Sequence, residues 1–167
     1  MAPDRLDDGF DSHTLRQALG RFATGVTIVT TTAADGSPVG LTVNSFASLS
    51  LEPPLVLWSL RRASASLAAF RAAPRFAVNV LAESQIELAR GFASAHGHHF
   101  AAAAWLRGEG GLPLLAGAAA CLVCETTAYQ EAGDHELFIG RVQRLMASHE
   151  PPLLFQGGRY RRLGPLI

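Results

Sequence analysis

Between Gly40 and Trp58 the chain reads as strand, polar break, strand, and this order of signals limits its fold more than any other stretch. Leu41 and Val43 alternate with Thr42 and Asn44, the period of two expected of a half-buried strand. Asn44-Ser45-Phe46-Ala47-Ser48 then places small polar residues where the apolar pattern should continue. Backbone N–H and C=O groups in such a break are available to something other than a neighbouring strand. Pro53-Pro54 ends the break, and residues 55–60 resume as a buried strand. A bound planar ligand is expected at the break.

The flanking segments extend a β-rich pattern. Residues 1–10 form a polar, acidic leader with little to bury, expected to be loose. With Asp11 or Ser12 as N-cap, Leu15, Ala18, Leu19 and Phe22 recur at helical spacing, predicting a helix that lies against a sheet and stops at Gly25. Residues 26–32 are rich in Val, Ile and Thr and read as a strand, joined to the Gly40 strand through the turn Ala34-Asp-Gly-Ser-Pro38. A short helix over 67–70 follows Ser64 or Ser66 as N-cap and ends before Pro74. A strand over 75–81 and a helix over 83–93, with Ile86, Ala89 and Phe92 inward, come next. Residues 94–113 read as irregular; two long strands, 118–129 and 135–149, follow, and 152–155 with Tyr160 closes the chain. Many strands and short helices without regular βαβ crossovers predict an antiparallel barrel rather than a doubly wound sheet, with residues 11–167 as one domain.

Composition excludes several classes of function. Fourteen basic residues, all arginine, balance fourteen acidic ones, so no net field draws the chain to nucleic acid. No apolar run approaches the roughly 20 residues that span a bilayer, and Asp4, Asp7, Asp8 and Asp11 stand where a secretory leader would be basic, so a cytoplasmic protein is expected. Cys121-Leu-Val-Cys124 has redox or zinc spacing, but on a strand residues three apart face opposite ways, and a structural role is expected. His96, His98 and His99 read as exposed loop histidines, and Gly108-Glu-Gly-Gly111 as a turn without the strand and helix of a dinucleotide loop. No G-x-S-x-G elbow or hydrolase spacing is present. Arg61, Arg62, Ser64 and Ser66, just ahead of a helix, suit a phosphate, or else are an ordinary cap with two solvated arginines. Asn44 and Asn79, the only asparagines, both fall in apparent strands, where a ligand or a structural hydrogen bond would account for them.

The run G-L-T-V-N-S-F-A-S-L-S-L-E-P-P-L-V over 40–56 joins T-G-V-T-I-V-T over 24–30, F-A-V-N-V-L over 76–81 and G-D-H-E-L-F-I-G over 133–140. Together they resemble the short-chain flavin reductases, the small components of two-component flavin-dependent monooxygenases. The resemblance spans about residues 15–163. It implies a mainly β, dimeric split barrel with flavin at the subunit interface. The implied activity is NAD(P)H-dependent reduction of FMN or FAD, supplied free to a separate oxygenase. It further implies an isoalloxazine ring against Asn44, Ser45, Phe46 and Ser48 and a ribityl phosphate at Arg61, Ser64 and Ser66, with Asn79 as a further flavin candidate. His135, in Gly-Asp-His, matches the family's histidine beside the nicotinamide, or else is a turn histidine; Tyr160 is a second candidate for that pocket. Nicotinamide and flavin are competent reagents, so no protein acid, base, nucleophile or metal is expected. Relatives often carry a basic residue before the phenylalanine at Phe100; His98-His99 here would either loosen flavin binding or make that charge pH-dependent. The alternatives are a non-enzymatic flavin-binding module on the same barrel and, more distantly, oxidation of pyridoxamine phosphate.

Overall fold

In the computed structural model residues 8–94 and 99–166 are described; most of the expected leader, with His96 and His98, lies outside them. Asp11 caps α1 (Ser12–Leu19), its carboxylate accepting the Thr14 amide at 2.7 Å. The helix ends at Gly20, not Gly25, which falls in β1 (Thr24–Gly25). Its apolar face was expected against a sheet, but Leu15, Leu19 and Phe22 are exposed. The contact is made by the helix end instead: the Gly157 amide donates to the Gly20 carbonyl at 2.9 Å.

β2 (Thr27–Thr32) and β3 (Pro38–Val43) form the expected hairpin. The break is shorter than its composition indicates. Ala47-Ser-Leu-Ser-Leu51 also has period two, and the returning β5 (Pro54–Arg61) supplies its partner, so it forms β4 (Ala47–Leu51). α2 (Leu67–Ala72), with Ser66 at its N-cap position, β6 (Arg75–Val80) and α3 (Ile86–Ala93) follow. The region expected to be irregular holds a small hairpin of β7 (Trp105–Arg107) and β8 (Pro113–Leu115), turned by residues 109–111. β9 (Ala120–Ala132) and β10 (His135–Ala147) are the two long strands; β11 (Leu154–Gln156) and β12 (Arg159–Arg161) pair near the C-terminus.

Seven strands form one antiparallel sheet in the order β3-β2-β6-β9-β10-β5-β4, and β1-β11-β12 form a second. The larger sheet curls around Trp58, Phe70, Phe76 and Phe138, with Trp58 stacked on Phe138 at 4.7 Å between ring centres. Gly140 makes room for this cluster, because a Cβ there would stand 2.8 Å from Phe76 Cε1 and 3.0 Å from Cys124 Cβ. A second core under α3 gathers Ile28, Leu81, Phe92, Leu115 and Leu153. Cys121 and Cys124 are free and pack into different cores, and burial pushes their thiols up to about 11 and about 12, so neither acts as a thiolate at neutral pH. Among the described residues no group of three or more His, Cys, Asp or Glu is placed to hold a metal ion, and no helix is long and apolar enough to cross a membrane.

Candidate functional site

The free edges of the curled sheet are β3 and β4, and a cleft of about 770 Å³ opens beside β3, between it and the C-terminal end of β5. Small-molecule sites span roughly 300–1,000 Å³. One wall is β3 from Gly40 to Val43, whose only sheet partner is β2, followed by Asn44 and Ser45. An unpaired strand edge presents N–H and C=O groups to whatever occupies the cleft. The opposite wall is Ser59, Leu60 and Arg61 of β5 with the loop through Ser66. α3 is docked beside it through Thr42 Oγ1, which donates to the Ala89 carbonyl at 2.8 Å. Gly40 permits that approach: a Cβ there would lie 2.9 Å from Phe92 Cε1 and 3.0 Å from Phe100 Cζ.

Arg61 ends β5, lines the cleft and has no ion-pair partner among the described residues. Ser64 Oγ accepts the Ser66 amide at 3.3 Å, holding both serines in the same wall. The loop is anchored from behind. The Arg62 amide donates to the Asp134 carbonyl at 2.9 Å, and Arg71 on α2 grips Glu136 on β10, with Nε donating to Oε1 at 2.8 Å and Nη2 bonded to Oε2. The Glu136 side chain is wholly buried, and the guanidinium of Arg71 holds its carboxyl below the usual carboxylate range.

His135 opens β10 opposite Arg61 and enters the cleft. Its Nδ1 lies 2.8 Å from Asp134 Oδ1, and that hydrogen bond holds the Asp134 carboxyl below its ordinary value. With Asp134 ionised, Nδ1 carries the proton and donates it, leaving Nε2 for a ligand. No carboxylate lines the cleft among the described residues.

An open strand edge facing a free guanidinium, two serines and an oriented imidazole is a chemical match for a planar ring carrying a phosphate. The sequence profile described as flavin reductase like domain matches residues 19–164. The chain belongs to that family.

Among flavin reductase relatives, the chain is 43% identical over 154 residues to the FMN reductase (NADH) SmoA of Agrobacterium fabrum, covering 92% of this chain and 87% of that one. It is 42% identical to the flavin-dependent monooxygenase reductase subunit HsaB of Rhodococcus jostii, covering 95% of this chain and 81% of HsaB. Some relatives are longer: the chain spans 43% of a probable flavin reductase of Rhizobium meliloti. Its fold superposes with a TM-score of 0.90 on the NADH:FAD oxidoreductase SgcE6 of Streptomyces globisporus in complex with NAD and FAD fragments, at 41% identity and 96% and 98% coverage. The mainly β split-barrel architecture is common to these structures.

Of the residues singled out for flavin or nicotinamide, Asn44, Ser45, Arg61, Ser64, Ser66 and His135 share this one cleft. Asn79 does not. It is fully buried, donating to the Ile28 carbonyl at 3.0 Å and accepting the Leu115 amide at 2.9 Å, so its amide stitches β6 to β2 and β8. Phe46 packs into the barrel core and Ser48 sits exposed on β4; neither lines the cleft. Tyr160 packs against Phe155 and under Arg90, apart from the cleft. His99, expected to be exposed, is half-buried, lies 5.2 Å from the Phe92 ring and lines the cleft. Sequence reasoning missed Ser59, Phe92 and Glu136. A buried carboxylate within an alternating strand, bonded to an arginine 65 residues away in sequence, leaves no local signal.

Proposed function

We propose that this chain is an NAD(P)H-dependent flavin reductase of the cytoplasm that supplies reduced FMN or FAD to a separate oxygenase. The observation that carries the reading is the unpaired edge of β3 facing Arg61, Ser64 and Ser66 across one cleft. Backbone groups of β3 and of Asn44 and Ser45 hold the ring edge, and Arg61 with the two serines takes the phosphate through charge-assisted hydrogen bonds. Asp134 presents His135 with Nε2 toward the cleft, where it orients the carboxamide of the nicotinamide. Phe92 shields one side from water, and Glu136 with Arg71 keeps the phosphate loop in register with β10. The flavin supplies the redox chemistry when bound, and the protein supplies position and dryness.

The same reading includes a homodimer. Leu49 and Leu51, at 47% and 92% exposure on the edge strand β4, and Leu145 and Met146 on β10 are apolar surface that a second copy would cover. Equilibrium sedimentation checks it.

Assay of NADH and NADPH oxidation with FMN, with FAD and without flavin tests the activity. Turnover only in the presence of flavin is the expected result. Tight flavin binding without turnover of either nucleotide would replace this reading with a binding module.

A further inference from the structure

His135 is clamped through both of its chain neighbours. Asp134, the residue before it, accepts the Arg62 amide on its carbonyl at 2.9 Å, and Glu136, the residue after it, accepts Nε of Arg71 at 2.8 Å. Both donors belong to the loop and helix that carry Ser64 and Ser66, so β10 is tied to that segment on each side of the histidine. Glu131 on β9, the strand paired with β10, adds a further tie, standing 3.2 Å from Arg62 and 3.6 Å from Arg71. In register His135 lies opposite Arg61, where the loop begins.

Glu136 is the costly member of this clamp. Its side chain is wholly buried. A buried ion pair seldom stabilises a fold more than apolar residues of the same size do, but its fixed geometry can hold two segments in one register. Side chains alternate along β10, so Glu136 shares the buried face of Phe138 while His135 lines the cleft. The pair fixes the backbone around His135 without itself lining the cleft.

We propose that the Glu136–Arg71 pair joins the loop of Ser64 and Ser66 to His135 as one unit, so that a flavin phosphate held by the loop tightens the binding of the pyridine nucleotide. The proposal rests on the reductase reading, which gives the phosphate to the loop and the nicotinamide to His135. A phosphate that fixes the loop fixes Arg62 and Arg71, and through Asp134 and Glu136 it fixes the imidazole. The direct effect has the opposite sign, because the flavin phosphate and the nucleotide diphosphate are both anions and repel. Glu136 and Arg71 are positioning residues that act through His135.

Riboflavin has the ring of FMN without the phosphate, so the test measures KM for NADH at saturating FMN and at saturating riboflavin. Wild-type turnover is established first: its absence overturns the reductase reading and this proposal with it. In the wild type KM for NADH is expected to be about fivefold or more lower with FMN, at similar kcat. NAD⁺ should likewise tighten FMN more than riboflavin in fluorescence titrations, a readout independent of turnover. Arg71→Met with Glu136→Met removes the pair without leaving a buried charge unpaired, and in it the FMN advantage disappears, with KM at the riboflavin value. Arg71→Lys, which keeps a cation beside Glu136 and so keeps the fold, retains part of the advantage. Arg75→Gln, an arginine paired instead with Glu109, leaves it intact. Equal KM with the two acceptors in the wild type, or an FMN advantage that survives undiminished in the double variant, would overturn the proposal and leave the reductase reading standing.

Discussion

Ser45 Oγ accepts the amide of Ser59 at 3.0 Å and donates to the Ser59 carbonyl at 3.1 Å. One hydroxyl thus stands in for a strand partner where β3 has ended, and it pins the two walls of the cleft at its floor. Ser45→Ala leaves both backbone groups of Ser59 without that partner. Each such loss costs about 0.5–1.5 kcal/mol, and a chain of this size loses about 2–4 °C of Tm per kcal/mol. Flavin affinity should fall with Tm, and Ser45→Thr, which keeps the hydroxyl, should restore most of both in thermal melts and fluorescence titrations.

In the proposed reading the serine pair meets the phosphate and not the ring. Ser64→Ala with Ser66→Ala should weaken FMN binding by roughly 1.5–3 kcal/mol for each hydrogen bond to the charged phosphate that is lost. Riboflavin, which lacks the phosphate, should bind almost as before. Equal losses for FMN and riboflavin in parallel titrations would put the phosphate elsewhere.

For His135, replacement by alanine is expected to raise KM for the nicotinamide nucleotide about tenfold, about 1.4 kcal/mol. Asp134→Ala should act in the same direction but less, because the ring remains and only its orientation is freed. Since His135 shares the cleft with Ser45 and Arg61, FMN affinity is measured on the same preparations. A tenfold loss there at constant nucleotide KM would reassign His135 to the flavin.

Glu136 makes the stability of the fold behind the cleft pH-dependent, with a definite sign. Its carboxyl is held below its unfolded value by Arg71, so the folded state binds its proton less readily than the unfolded state does. The contribution is complete above the unfolded pKa, about 4.3, and is lost as pH falls through the depressed folded value. Glu136→Gln should lower Tm by a few °C at pH 7. The gap to wild type should narrow on acidification below about pH 4. A gap that widens in acid would show that the ion pair is not the stabilising contact.

Gly140→Ala tests the packing behind the cleft. The added methyl meets the Phe76 ring and Cys124 Cβ, and overpacking of this kind costs typically about 1–3 kcal/mol. Chemical denaturation should show that loss, and Gly140→Ala with Phe76→Leu should recover part of it. An unchanged midpoint would mean that Phe76 is free to withdraw.

The β-rich class, the β2–β3 hairpin and the two long strands were all legible in the sequence, because period-two alternation and turn residues act over a few positions, whereas the cap of α2 was left between Ser64 and Ser66 until the structure put Ser66 there. Asn44, Ser45, Arg61, Ser64, Ser66 and His135, singled out by motifs that each lie within one short segment, come together in one cleft only through the fold. The strand character of Ala47–Leu51 was obscured by its serines until β5 came back to pair with it. Asn79 illustrates the limit. An asparagine in a strand signals an unusual hydrogen bond, but only the approach of β8 from 36 residues away decides that the Leu115 amide, not a ligand, takes its oxygen. The pairing of Glu136 with Arg71, the Ser45–Ser59 seam and the exposure of Leu15, Leu19 and Phe22 are likewise decided by how distant segments meet. The local pattern determines which faces can be buried and which groups can bond; which partner they find depends on the curl of the sheet, and that curl is settled only when the whole core packs.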